Sequence, residues 1–140
     1  MKQWLTAALV LGLAAQAAPA AAQWRTAPPP AQAAAPARSD SLARAALAAT
    51  TPGRRVFVDV RTPEEFAGGH LRGAINIPLA DLEQRWPELK AYARRQIILS
   101  CRSGHRAGLA LEIVRGHGIN NAVNGGGYDS LRRLLAARTK

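Results

Sequence analysis

The segment "SCRSGHRA", residues 100–107, contains the only cysteine of the chain, with three basic residues close behind it. These basic residues are Arg102, His105 and Arg106. Positive charge around Cys101 favours the thiolate, which is the form of cysteine that attacks electrophiles. Gly104 allows the tight turn that brings successive backbone N–H groups toward one anion. The segment therefore predicts a cysteine nucleophile beside a pocket that accepts an anionic substrate.

The patterns on either side place this cysteine at a junction between a strand and a helix. "QIILS", residues 96–100, is an apolar run without polar alternation, which predicts a central strand covered on both faces. The segment that starts at Arg106 has a helical pattern and ends at Gly116 or Gly118. Open α/β sheets bind ligands at the carboxyl ends of their strands, and a helix N-terminus attracts anions. Cys101 is therefore predicted at a ligand-binding edge.

The remaining segments alternate in the same way between strand and helix patterns. Strands are predicted at 56–60 and 75–77, and residues 121–137 predict a short strand, a glycine turn and a closing helix. Helices are predicted after a cap at Ser39 or Asp40, after Thr62 with Pro63 first, and over 80–94, broken near Pro87. This order predicts an α/β fold with a parallel sheet and helices on both faces.

The amino-terminal part predicts an exported protein. Lys2, an apolar centre, and small residues at Ala20 and Ala22 are typical of a secretory signal peptide. The predicted organisation is a signal peptide at 1–22, an Ala/Pro-rich spacer at 23–38 and a folded domain at 39–140. The alternative is a membrane anchor, but the apolar run is shorter than the roughly 20 residues that a spanning helix needs. The predicted location is therefore periplasmic or secreted, where a cysteine without a partner is unusual.

Charge and composition restrict the partners. Lys and Arg number 19 against 9 Asp and Glu, a formal net charge of +10. This charge either forms a solvated basic surface or attracts anions. Aromatic residues, at 5%, are too few for the stacking platforms that bind single-stranded nucleic acid. One cysteine and three scattered histidines predict no metal site, and nothing in the sequence predicts a cofactor. Arg132, Arg133 and Arg138 add charge near the end of the last helix.

Three segments occur in an order and spacing that resemble a known family. They are "VFVDVRTPEEFAGGHLRGAINIPL", "CRSGHRAGLA" and "VNGGGYDSL", and together they extend over about residues 55–131. The sequence resembles the single-domain rhodaneses, or thiosulfate sulfurtransferases, and among them the periplasmic phage-shock protein E type. The resemblance implies a rhodanese-like fold with a parallel five-stranded sheet flanked by helices.

The resemblance also implies a reaction and a set of site residues. Cys101 would take a sulfane sulfur from thiosulfate or a related donor, hold it as a persulfide and pass it to cyanide or a thiol. The implied substrate-binding residues follow the cysteine: Arg102, Ser103, Gly104, His105 and Arg106. Asp59 and Arg61 either support the active loop from below or form an ion pair that fixes the end of the first strand. The protein is expected to be a monomer.

Several alternatives stay open at the level of sequence. Cys101 and Arg106 form a C-x4-R pattern, whereas cysteine phosphatases use C-x5-R, a larger ring that admits a phosphate. The shorter ring favours sulfur transfer. A second alternative is a rhodanese-like binding module that holds an anion or a partner without catalysis. Glu65 is interpreted as a helix-start charge or an arginine partner, and His70 as part of a turn.

Overall fold

The computed structural model describes residues 35–138, which contain four β-strands and five α-helices. The strands are β1 (Arg55–Asp59), β2 (Ile75–Asn76), β3 (Gln96–Cys101) and β4 (Ala122–Gly127). The helices are α1 (Ala35–Ala48), α2 (Pro63–Ala67), α3 (Leu82–Arg85), α4 (His105–Gly116) and α5 (Tyr128–Ala137), with 3-10 helices at Leu79–Asp81 and Trp86–Tyr92. The predicted signal peptide lies outside the described residues. Within 35–138, no helix combines the length and apolarity needed to span a membrane.

The four strands form one parallel sheet in the order β2-β1-β3-β4. The five-stranded sheet expected from the resemblance is wrong for the described residues. The apolar runs of the sequence predicted four strands, and the fifth came from the family alone. Residues 35–48, which precede β1, form a helix because alanine has the highest helix propensity.

Helices cover both faces of this sheet, as predicted. Strand β3 lies between β1 and β4, and its side chains alternate between two apolar clusters. On one face, Ile97, Leu99 and Cys101 pack with Ala107, Ala110 and Val114 of α4. On the other face, Ile98 packs with Leu131 of α5 and with Ala43, Ala46 and Leu47 of α1. The absence of polar alternation in "QIILS" therefore reflects burial on two sides.

Local sequence signals place the short helices between the strands. Thr62 caps α2: its Oγ1 accepts the Glu65 N–H at 3.3 Å, while the Glu65 carboxylate accepts the Thr62 N–H at 3.2 Å. This reciprocal capping box satisfies two N–H groups that a helix start leaves without partners. The predicted break near Pro87 is also found, because α3 ends at Arg85 and a 3-10 helix follows.

The start of α1 differs from the prediction. Ser39 and Asp40 were expected to cap this helix, but it begins at Ala35 and both residues lie inside it. Ser39 is buried, and its Oγ accepts the Gly127 N–H at 2.6 Å. The Asp40 carboxylate instead accepts the Ser130 hydroxyl of α5 and the Arg133 guanidinium. Their polar side chains thus join α1 to the end of β4 and to α5, and the domain boundary at residue 38 stays a prediction.

The glycine run also differs from the prediction, since Gly125, Gly126 and Gly127 belong to β4 and α5 begins directly after them. A Cβ on Gly125 would lie 2.4 Å from Cγ2 of Ile98, and one on Gly127 would lie 2.5 Å from the carbonyl oxygen of Arg102. The glycines therefore permit close packing of β4 on its neighbours, where a turn was expected.

Candidate active site

Cys101 is the last residue of the central strand β3, and α4 starts four residues later at His105. The intervening Gly104 has φ of +98°, a left-handed conformation that favours glycine. Its backbone N–H donates to Cys101 Sγ at 3.0 Å. Residues 101–106, here called the Cys loop, therefore direct a main-chain dipole at the sulfur from the N-terminal end of a helix. This is the strand-to-helix arrangement that the sequence predicted.

Burial of the sulfur is the feature that the sequence did not predict. Cys101 is 1% exposed and belongs to the apolar cluster beneath α4, together with Val60 and Ala107. Arg102 and Ser103, the next two residues of the Cys loop, are exposed. The thiol thus lies directly under the loop and not at an open mouth of the sheet. A reactant reaches Sγ only if the residues that cover it shift.

Arg106, at the end of the Cys loop, forms an ion pair with Glu65 of α2. Its two terminal nitrogens donate to the two carboxylate oxygens at 2.7 and 2.9 Å, and both side chains are 31% exposed. The hydrogen bond from Arg106 lowers the pKa of Glu65 to about 2. The same hydrogen bond raises the pKa of Arg106, and the nearby Cys101 adds to this rise. Glu65 is therefore an arginine partner, and its place in the first turn of α2 makes it a helix-start charge as well, so both interpretations are confirmed.

Asp59 and Arg61 form a second ion pair at the end of β1. Arg61 Nη2 donates to the Asp59 carboxylate at 2.7 Å and to the Gly69 carbonyl oxygen at 2.6 Å. The Arg61 guanidinium carbon lies 4.5 Å from the centre of the Tyr128 ring. The side chains of Arg61 and Asp59 are only 8% and 2% exposed. Since Asp59 pairs with Ser100 across the sheet, this buried ion pair adjoins the strand that ends at Cys101.

Two cavities flank the Cys loop, and residues 102–105 of the loop contribute to their lining. A cavity of about 300 Å³ is lined by Arg61, Glu65, Gly68, Gly69, Arg102, Tyr128 and Asp129. A larger one, of about 490 Å³, lies on the other side between α1 and α4 and includes Ser103, Gly104 and His105. In the smaller cavity, Arg61 and Glu65 are already paired, and Asp129 pairs with Arg132 at 3.2 Å. Arg102 makes no ion pair within residues 35–138, so its guanidinium is available to an anion there.

Asn124 is a residue of the site that the sequence analysis missed. Its Nδ2 donates to the Gly104 carbonyl oxygen at 2.9 Å, and its Oδ1 accepts the Gly126 N–H at 2.8 Å. One side chain thus holds the Cys loop against the glycine-rich end of β4. Its place directly before three glycines was the available signal. His70, in contrast, stacks on Phe66 and hydrogen-bonds the Phe66 carbonyl oxygen, which fits its predicted role in a turn.

Comparisons with known proteins agree with this fold. The sequence profile of the family described as "Rhodanese-like domain" matches residues 42–133. YqhL, an uncharacterized protein of Bacillus subtilis, is 40% identical over 68 residues, which are 49% of this chain and 52% of YqhL. The chain therefore spans about half the length of that relative. The thiosulfate sulfurtransferase PspE of Escherichia coli is 34% identical over 75 residues, 54% of this chain and 72% of PspE.

A solved structure extends the agreement to three dimensions. The structure described as "rhodanese with anions from E. coli" is 32% identical, with a TM-score of 0.50, and the match covers 54% of this chain and 89% of that one. The profile match alone covers more than half of the 140 residues. This chain belongs to the family of rhodanese-like domains.

Proposed function

We propose that this protein is a thiosulfate sulfurtransferase that carries sulfur as a persulfide on Cys101. The observation that carries the proposal is the sulfur of Cys101 at the end of β3, which receives the Gly104 N–H at 3.0 Å where α4 begins. Membership of the rhodanese-like family supports it, and so does the match to a protein named as a thiosulfate sulfurtransferase over 72% of its length. The C-x4-R spacing favours sulfur over phosphate as the transferred group.

The reaction proceeds in two halves. In the first, the Cys101 thiolate attacks the outer sulfur of thiosulfate, a new S–S bond forms, and the S–S bond of thiosulfate breaks. Sulfite leaves with the electron pair of that bond, and a Cys101 persulfide anion remains. In the second half, cyanide or a thiolate attacks the outer sulfur of the persulfide. Thiocyanate or a new persulfide departs, and the Cys101 thiolate is regenerated.

The Cys loop supplies the electrostatic stabilisation for both halves. The Gly104 N–H and the N-terminal end of α4 favour negative charge on sulfur, as an oxyanion hole favours a developing alkoxide. Arg102, which is exposed and lines the smaller cavity, attracts the dianionic donor. Arg106 orients the donor from the end of the loop by exchanging its partner Glu65 for the donor. Ser103 and His105 are exposed and contribute polarity and charge to the outer side of the loop.

Access to Cys101 is part of the proposed mechanism, because the residue is only 1% exposed. Arg102 and Ser103 follow it directly and are exposed, so a shift of this part of the loop would admit the donor. Gly126, with φ of +76°, and Asn124 hold the opposite side of the loop in place. Opening is therefore expected between Arg102 and the cavity beside Tyr128, where the donor enters.

The first experiment is mass spectrometry of the intact protein after treatment with thiosulfate. One added sulfur is expected on Cys101, and cyanide should remove it with release of thiocyanate. Cys101→Ser should lose both the adduct and at least about a thousandfold of the transfer rate, since no nucleophile remains. Ser41→Ala is the matched control, because it removes an exposed hydroxyl outside the Cys loop and should keep the adduct. The absence of an adduct at any thiosulfate concentration would contradict the proposal.

The burial of Cys101 favours a second candidate function, an anion- or partner-binding module without catalysis. In that case the thiol packs beneath the loop, and the cavity beside Arg102 binds an anion or a partner without any reaction at Cys101. Alkylation of the native protein by iodoacetamide separates the two functions. A catalytic cysteine is alkylated in the folded protein, and thiosulfate slows the reaction. A packed thiol is alkylated only after unfolding, and Cys101→Ser then keeps full anion binding.

We also propose that the protein is exported to the periplasm or to the outside of the cell, as in the phage-shock protein E type. The pattern of residues 1–22 supports this location. Cell fractionation tests it: the processed protein should begin at Gln23, and tyrosine in place of Ala20 and Ala22 should block the cleavage. Recovery of the intact chain from the cytoplasm alone would contradict export while leaving the sulfur chemistry to its own test.

A further inference from the structure

A cavity of about 530 Å³ lies between the carboxyl-terminal ends of α1 and α5, away from the Cys loop. It is lined by Leu47, Ala48, Thr50, Pro52, Arg55, Leu135 and Arg138. Arg55 begins β1 and Asp59 ends it, so this cavity adjoins the amino edge of the sheet. At about 3.3 Å a residue, the strand separates the two edges by roughly 13 Å. The cavity is therefore distinct from the site proposed for sulfur transfer.

Arg55 contributes a guanidinium that no carboxylate of residues 35–138 compensates. Its Nη1 is buried and makes no hydrogen bond, and its guanidinium carbon lies 5.7 Å from the centre of the Phe57 ring. Within residues 35–138 it forms no salt bridge. Burial and the positive charge of Arg138 lower the pKa of Arg55. A partly buried cation without a counter-charge is unfavourable, and a bound anion would remove that cost.

Arg138 places a second guanidinium at the same cavity. Its Nη1 donates to the Leu47 carbonyl oxygen at 3.1 Å, which holds the side chain across the end of α1. Within the described part of the chain, no carboxylate pairs with it either, and none of the residues that line the cavity is acidic. Two like charges are thus held together on a protein with a net charge of +10. Guanidinium groups so placed suit the oxygens of a phosphate, sulfonate or carboxylate.

We propose that Arg55 and Arg138 form a second binding site, for a small soluble organic anion with one anionic head and an apolar body. The head contacts the two guanidinium groups, and the body lies along the apolar wall formed by Leu47, Ala48 and Pro52. A soluble ligand is favoured over a membrane surface, because Arg55 is partly buried between two elements and the head must enter the cavity. Binding at this site does not involve Cys101 and would be a function separate from sulfur transfer.

Titration calorimetry of the full chain tests the site with hexyl phosphate as the probe. Hexyl phosphate should bind more tightly than inorganic phosphate, which lacks the body, and than hexanol, which lacks the head. Arg138→Gln should weaken binding at least about tenfold, since a charged hydrogen-bonding group is lost. Arg132→Gln is the matched control: it lies on the same helix, is exposed and pairs with Asp129, and it should bind hexyl phosphate as the wild type does.

A further set of variants tests where the probe binds. Arg102→Gln should leave the binding of hexyl phosphate unchanged, and Arg55→Gln, with its fold checked by circular dichroism, should weaken it as Arg138→Gln does. If Arg102→Gln lost the binding of hexyl phosphate while Arg138→Gln kept it, the anion would be bound at the Cys loop and the proposal would be overturned. Binding to vesicles of phosphatidylglycerol without any binding of hexyl phosphate would overturn it as well. Neither result depends on whether thiosulfate reacts with Cys101.

Discussion

Two arginine–carboxylate pairs adjoin the Cys loop, and they differ in burial and in sequence separation. The side chains of Asp59 and Arg61 are 2% and 8% exposed and lie two residues apart at the end of β1. Glu65 and Arg106 are both 31% exposed and lie 41 residues apart, on α2 and α4. The first pair is fixed by a strand end and by the Gly69 carbonyl oxygen. The second pair joins the starts of two helices, and the Thr62 N–H also donates to the Glu65 carboxylate.

This difference indicates different roles near the same sulfur. A buried pair is fully desolvated, so the removal of one partner leaves a charge that water cannot reach. A half-exposed pair exchanges its partner for water or for another anion at small cost. We therefore expect Asp59 and Arg61 to hold the end of β1 in place beside the end of β3. Arg106, in contrast, can release Glu65 in favour of an anionic donor during the proposed reaction.

The largest expected effect comes from breaking the buried pair. Arg61→Gln leaves the Asp59 carboxylate buried without its cation and removes the hydrogen bond to Gly69. We expect a loss of about 3–5 kcal/mol in the free energy of unfolding, measured by urea denaturation with circular dichroism. The double variant Asp59→Asn with Arg61→Gln should lose less than Arg61→Gln alone, since no uncompensated charge remains. If Arg61→Gln lost less than about 1 kcal/mol of unfolding free energy, the pair would not be needed to hold the strand end in place.

A smaller effect is expected from breaking the half-exposed pair. Arg106→Gln should cost about 1 kcal/mol of unfolding free energy, and a double-mutant cycle with Glu65→Gln should give a coupling energy of similar size. The same variant should raise the KM for thiosulfate about tenfold, because the donor loses an orienting charge. The pair of Arg132 and Asp129, with side chains 60% and 61% exposed, is the control, and its coupling should be close to zero. Equal coupling energies in the two double-mutant cycles would show that the Glu65–Arg106 pair is no stronger than the exposed Asp129–Arg132 pair.

The sequence predicted the parts of this region that depend on local chemistry. The cap at Thr62, the apolar run of β3 and the glycine after Cys101 each leave a signal within a few residues, and each indicated its element correctly. Contacts across the chain left at most a weak signal, such as the three glycines that follow Asn124. Asn124 binds the Cys loop from 20 residues away, and Ser39 binds β4 from 88 residues away. The burial of Cys101 depends on the same long-range packing, which the basic loop does not indicate.

The smallest expected effect, and the most diagnostic one, is the change with pH in the stability that the Glu65–Arg106 pair gives to the fold. The hydrogen bond from Arg106 lowers the pKa of Glu65 from its ordinary value of 4.5 to about 2. Because the folded protein holds this carboxylate ionised more strongly than the unfolded chain does, the pair stabilises the fold fully above pH 4.5. Its contribution is lost as the pH falls from about 4.5 to about 2.

Glu65→Gln isolates this contribution, since every other acidic group is shared with the wild type. The wild type should be more stable at pH 7, and the difference in unfolding free energy should shrink steadily below pH 4.5. Added salt at neutral pH should reduce the same difference, because the pair is 31% exposed and its charges are screened. A difference that stayed constant from pH 5 to pH 2.5 would mean that the carboxylate contributes by packing and not by its charge. Glu65 would then not be the counter-ion of Arg106, and the proposed exchange of Glu65 for the anionic donor would lose its physical basis.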